Sequence, residues 1–288
     1  MSTSDAPDDH AHAAPAGGRI ARLGAAALGA ARATAELWRV YVGTIAGIVR
    51  MLRGRRGRIV SRSAGRGELW RQLHAIGNRS VVFVAVTLGF IGMVMTYQAC
   101  LQLGRVTGDY SQIGSQFLRL TVSDFGPTLT GLMLATRVGA GIAAEIGSMK
   151  VTEQIDALRM SGVLPIDHLI VPRFLASLVM TLMLSTLGAA IMYAAGGLTA
   201  QASFGVNPHT FFDLSLLRGR HVAMFVVKAA VFGAAIPVVA GFCGLRARGS
   251  SEGVGRATTA AVIGGSFAVI VLDFAISATA LFVTGGDL

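Results

Sequence analysis

The chain has 288 residues, 53% of them hydrophobic and only 14% charged, and its mean hydropathy of +0.62 excludes an ordinary soluble globular profile in favour of a helical membrane protein. Its formal net charge of +10 is carried almost wholly by arginine, since Lys150 and Lys228 are the only lysines, and much of it precedes residue 80. That distribution suits anionic lipid headgroups rather than nucleic acid, because no soluble nucleic-acid-binding fold accompanies it.

Residues 1–18 are polar, acidic and rich in Ala and Pro, with nothing to bury, and read as a disordered tail. His10 and His12 lack further ligands, so no metal site is expected there. Nor does a signal peptide show, since no small-residue cleavage site follows a short apolar core. Residues 19–80 form a basic amphipathic region. Ala, Leu and Val alternate with spaced arginines up to the cluster Arg53–Arg58, as in a helix lying on a membrane surface. In the stretch Gly67–Arg79, Leu69, Leu73 and Ile76 fall at i, i+4 and i+7 beside Trp70, a second interfacial pattern.

The remainder, 81–288, is expected to be an all-α integral membrane domain. Five apolar segments, about 81–103, 118–144, 174–199, 221–243 and 260–284, are each long enough to span a bilayer core, which takes about 20 apolar residues. Gly89 and Gly92 mark the first as a candidate for a broken or re-entrant span. Arg and Lys collect before residue 80, between 145 and 173, and in 244–256, so the positive-inside rule puts the N-terminus in the cytoplasm and the C-terminus outside. Arg218 and Arg220, in the connection before the fourth span, weigh against this without reversing it. Cys100 and Cys243 then fall at opposite faces, and no disulfide is expected between them.

Between the second and third spans lies EIGSMKVTEQIDAL, Glu145 to Leu158. Val151, Ile155 and Leu158 make one stripe, with Lys150, Glu153 and Asp156 on the other side. With Ser148 as N-cap and a stop at Gly162 before Pro165, this predicts a short amphipathic helix over about 146–161, suited to docking in a groove of a soluble partner. The approach to it, ATRVGAGIAAEIG, is rich in small residues that let helices pack closely in a membrane. Gly139, Gly141 and Ala144 match the spacing GxGxxA, but here it ends a membrane helix and lacks the βαβ context of a dinucleotide site. No GxxxxGK[ST], HExxH or CxxC occurs, so no catalytic residue, metal or cofactor of the chain's own is expected.

Two blocks, GPTLTGLMLATRVGAGIAAEIGSMKVTEQIDALRMSGVLPIDHLIVPR (Gly126 to Arg173) and EGVGRATTAAVIGGSFAVIVLDF (Glu252 to Phe274), and a weaker third from Leu69 to Val94, resemble the MlaE/YrbE family of ABC transporter permeases, which work with MCE-domain proteins in bacterial lipid transport. The family often has an Arg-Glu pair before Leu-Gly-Pro, where this chain has Ser123 and Asp124 before Phe125, Gly126 and Pro127. The resemblance implies that the central phrase is a coupling helix resting on a separate ATPase subunit that binds the ATP, with Glu145, Gly147, Lys150, Val151, Glu153, Ile155, Asp156, Leu158 and Arg159 at the contact. It further implies a homodimer, a lipid cavity, an MCE protein on the outer side, and a place in the bacterial inner membrane. The residues alone leave open a secondary transporter or a membrane anchor for a partner complex.

Four charges fall inside the apolar segments: Asp124, Arg137, Lys228 and Asp273. Such charges are expensive there and demand partners or water. If the last two spans are antiparallel, Lys228 and Asp273 sit at similar depths and are expected to pair. Apolar walls accept many lipids, and no cluster that reads a headgroup is evident.

Overall fold

The computed structural model describes residues 35–47, 49, 62–106, 108, 110, 112–162 and 164–284. The expected tail, with His10 and His12, and most of the basic stretch to residue 59, with Arg53–Arg58, lie outside the described residues. The chain divides into Met1–Arg39, of which 35–39 are described and helical, and Val40–Leu288. The described residues of the second unit are helical throughout, with short connections and no strand.

Among the described residues, five helical stretches are long and apolar enough to cross a membrane: Leu69–Val106, Ile113–Val151, Ile166–Phe204, Gly219–Leu245 and Ser251–Phe282. The first comprises the end of α1 (Arg62–Ile76) and all of α2 (Asn78–Val106). The second comprises α3 (Ile113–Leu120), a π-helical turn at Thr121–Phe125, α4 (Gly126–Leu134), a second π turn at Ala135–Gly139, and α5 (Ala140–Val151). After the short α6 (Gln154–Met160), a third π turn (Ile166–Ile170) leads into α7 (Val171–Phe204). The four-residue α8 (Pro208–Phe211), then α9 (Gly219–Leu245) and α10 (Ser251–Thr284), complete the described residues.

Two of the π turns have a common cause in the sequence. Thr121–Phe125 is followed by Gly126-Pro127 and Ile166–Ile170 by Val171-Pro172. Proline lacks the N–H that would bond the carbonyl four residues back, and its ring crowds that carbonyl, so the turn before it widens. Gly126 N–H bonds the Thr121 carbonyl and Val171 N–H the Ile166 carbonyl, each reaching back five residues. Ala135–Gly139 has no proline behind it, and nothing in its packing explains it.

The first span packs on the third, the third on the fourth, and the fourth on the fifth, while the second touches the third, fourth and fifth. Consecutive spans are joined by short connections and so alternate in direction. One end is aromatic: Tyr193 stacks near Phe117 and Phe211, and its hydroxyl donates to the Phe211 carbonyl at 2.5 Å. The opposite end carries the 152–165 connection, where Gly147 lies against Ala247 and Val254.

One expectation changes. The first span is neither broken nor re-entrant: α2 runs unbroken for 29 residues, and Gly89 and Gly92 are contact points on its buried face. The stretch Gly67–Arg79 holds the end of the separate helix Arg62–Ile76, which packs on α7 with Gln72 and Ile76 buried and Trp70 exposed, and leads through Gly77 into the first span. Of the N-terminal region, residues 40–47 are helical, with Val40 and Thr44 buried and Gly43 facing Ile166 of the third span.

A Cβ at Gly92 would collide with the backbone carbonyl of Met192, and backbone cannot give way as a side-chain tip can. Gly92→Val is therefore expected to cost about 1–3 kcal/mol through forced separation of the first and third spans. Thermal unfolding in detergent measures this, with Gly67→Ala, which meets nothing within 4 Å, as the unaffected control.

Candidate functional site

Lys228, on α9, is completely buried, so its ammonium needs partners from the neighbouring helices. Asp124 of the second span accepts from Lys228 Nζ at 2.6 Å, and Asp273 of the fifth span lies at 2.8 Å. The Asp273 oxygen bonded to Lys228 also accepts from the hydroxyl of Thr128 at 2.8 Å. One cation thus joins three spans. Asp124 reaches it from the π turn that Pro127 enforces, and the side chain of Asp124 stays 43% exposed while that of Asp273 is 24% exposed.

The exposed side of Asp124 faces a cavity of about 180 Å³ between the second, fourth and fifth spans. Arg119, Leu120, Ser123, Asp124, His221, Met224 and Ser277 line it. It opens near the aromatic end, where α9 begins. Of the four intramembrane charges singled out in the sequence, Asp124, Lys228 and Asp273 meet here. Arg137 does not: it sits in the Ala135–Gly139 turn, 137 − 124 = 13 residues or roughly 20 Å along the helix, with one guanidinium nitrogen buried and unpartnered.

At the opposite end the helix expected over 146–161 is two helices. Ala140–Val151 continues the second span, so Ser148 lies inside a helix and is no N-cap. The chain then breaks at Thr152-Glu153, where Glu153 takes a left-handed conformation (φ 60°), before Gln154–Met160. Side-chain hydroxyls compete with helical bonding here: Thr152 Oγ1 donates to the Ser148 carbonyl at 2.9 Å. Ile155 is fully buried and Val151 and Leu158 half-buried, while Glu153, Arg159 and Met160 are exposed, Met160 at 90%. Lys150 and Arg159 both bond Asp156, at 2.9 and 3.1 Å. Glu145 bonds Arg173 of α7 at 2.7 Å, tying the second span to the third, and Gly147 packs on the connection between the fourth and fifth.

The Lys150 hydrogen bond, with the Lys150 and Arg159 charges, holds the Asp156 carboxyl below the ordinary carboxylate range. A depressed value stabilises the turn above that range and loses the effect as pH falls through the lowered value. Hydrogen exchange over 154–160, corrected for intrinsic rate, should stay constant down to roughly pH 4 and rise only below it. Asp156→Asn should abolish that step.

A family model described as permease MlaE matches residues 69–279. The chain belongs to the MlaE permease family. It is 34% identical to a probable ABC transporter permease protein of Synechocystis over 208 residues, covering 72% of this chain and 79% of that one. To the intermembrane phospholipid transport system permease protein MlaE of Haemophilus influenzae it is 33% identical over 213 residues, 73% of this chain and 81% of the relative. To the chloroplastic protein TRIGALACTOSYLDIACYLGLYCEROL 1 of Arabidopsis thaliana it is 34% identical over 248 residues, 84% and 68% of the two chains.

In this MlaE-family chain, sequence reasoning singled out neither Thr128 nor the cavity residues Arg119, Ser277 and His221 as site residues, because they come from points far apart in the chain. Removing the cation alone strands two carboxylates, so Lys228→Met is expected to cost about 3–5 kcal/mol. Adding Asp273→Leu should recover part of that loss, since the remaining Asp124 borders the cavity. Thermal unfolding of the two variants in detergent decides it. A double variant no better than the single one contradicts a bridge that holds the spans.

Proposed function

We propose that this chain is the membrane subunit of an ATP-driven lipid transporter, working as a homodimer in the bacterial inner membrane and taking its energy from a separate ABC ATPase. The observation that carries this reading is the Val151–Met160 turn. It is a charged, exposed knob with an unshielded Met160, built directly on the second span and tied by Glu145–Arg173 to the third. A push on such a knob is delivered to helices rather than absorbed by a loop. Relatives named as ABC transporter permeases and as part of a phospholipid transport system support both the ATPase partner and the cargo class. The distribution of Arg and Lys supports a cytoplasmic N-terminus and turn, with the aromatic end outside, where an MCE-domain protein is the expected partner.

One observation favours a second reading. A buried Lys–Asp–Asp cluster is also what a gradient-driven carrier would use. Affinity purification of the tagged chain from its own cells in mild detergent separates the two. An ABC ATPase should co-purify, its hydrolysis should rise with added phospholipid, and Glu153→Lys with Met160→Glu should lower its recovery about tenfold or more without unfolding the permease. Undiminished recovery contradicts docking at the turn, and gradient-driven uptake by the chain alone would favour the carrier.

A further inference from the structure

The start of α9 has an unusual charge. Helix N-termini carry partial positive charge and are ordinarily met by acidic side chains or anions. Here the cap and first turn hold Arg218, Arg220 and His221, with no acidic residue. Arg119, from α3, adds a third guanidinium that acts on the His221 imidazole through space together with the other two. The one acidic residue lining the adjoining cavity, Asp124, is already bonded to Lys228.

Two donors that line this cavity, on His221 and Ser123, are unspent. His221 is 2% exposed, and its Nδ1 accepts the Arg218 N–H at 3.1 Å, which leaves the proton of the neutral ring on Nε2. That Nε2 is buried without a partner, as are the hydroxyl of Ser123 and Nε of Arg220. Buried donors are rarely left unmade, and the two that line the cavity, beside the Arg119 guanidinium, call for a ligand with acceptor oxygens and negative charge. A cavity of about 180 Å³ accommodates such a group.

We propose that this cavity binds a phosphate oxyanion, carried by an anionic lipid headgroup or free in solution, with His221 Nε2–H and Ser123 Oγ–H donating to it and Arg119 balancing its charge. The lipid form rests on the lipid-transport reading and makes this the place where headgroup charge is selected. Excess positive charge favours phosphatidylglycerol over zwitterionic phosphatidylcholine.

The test uses the purified full chain equilibrated with equal amounts of phosphatidylglycerol and phosphatidylcholine, with retained lipid counted by native mass spectrometry. A parallel arm measures inorganic phosphate binding by phosphorus NMR. Phosphatidylglycerol should be retained preferentially, and His221→Phe with Ser123→Ala should cut that retention about tenfold or more, with a smaller fall for the less strongly held phosphatidylcholine. His221→Gln, which keeps an N–H donor, should restore much of it. If the double variant fails to fold, Arg119→Gln carries the same test. Loss of inorganic phosphate binding with unchanged lipid retention assigns the oxyanion to free phosphate. No change in either arm overturns the proposal and leaves lipid transport standing. A wild-type chain that retains neither lipid contradicts the lipid-transport reading, and the phosphate arm still decides the site.

Discussion

The buried ammonium of Lys228 is the constraint on which the arrangement of the second, fourth and fifth spans depends. A lysine placed near the middle of a bilayer costs about 2.5–3.5 kcal/mol even on the lenient insertion scales, so the fold is obliged to bring it partners. It brings two, from separate helices, with Thr128 holding the second carboxylate in place. The geometry traces to one proline. Pro127 removes a helical hydrogen bond, the preceding turn widens to a π turn, and Asp124 within it is directed both at Lys228 and at the cavity.

Away from that cluster the spans are held by close approach rather than by charge. Lipid tails are as apolar as leucine side chains, so helices in a membrane associate through packing, and small residues decide how near the backbones come. Gly92 lies against the Met192 backbone and Gly233 against that of Leu178, which set the first–third and third–fourth contacts. The second span touches the third, fourth and fifth, carries Asp124 toward its aromatic end, and at its other end turns into the exposed segment bearing Glu153 and Met160. A single helical element therefore connects the proposed ATPase contact with the charged cluster and the cavity.

The five spans were legible because long apolar runs between arginine-bearing connections leave few alternatives. The turn end was legible in chemistry but not in geometry. The stripe Val151, Ile155 and Leu158 is the buried side, yet a helix was expected to begin at Ser148 where the structure has one end at Val151. Capping residues are only preferences, and here continuation of the second span outweighed Ser148, while the break fell at Thr152-Glu153, which carries no Gly or Pro signal. Depth counting put Lys228 and Asp273 level. It offered no route to Asp124 as the third member, because a π turn shifts the register by one residue and Pro127, a residue that membrane helices tolerate in several ways, does not by itself specify one. The cavity was less legible still: Ser123 and His221 are 221 − 123 = 98 residues apart, and only the packing of α9 on the second span brings their unpartnered donors to one place.

The central claim is that a charged Lys228 is held by two carboxylates at once. Solid-state NMR on the chain in lipid nanodiscs, with 15N-labelled lysine and 13C-labelled aspartate, tests it directly, since only Lys228 of the two lysines is fully buried. The structure predicts a protonated-amine shift for Lys228 and dipolar couplings from its Nζ to two distinct carboxylate carbons, those of Asp124 and Asp273. A neutral-amine shift, or coupling to a single carboxylate, would contradict it.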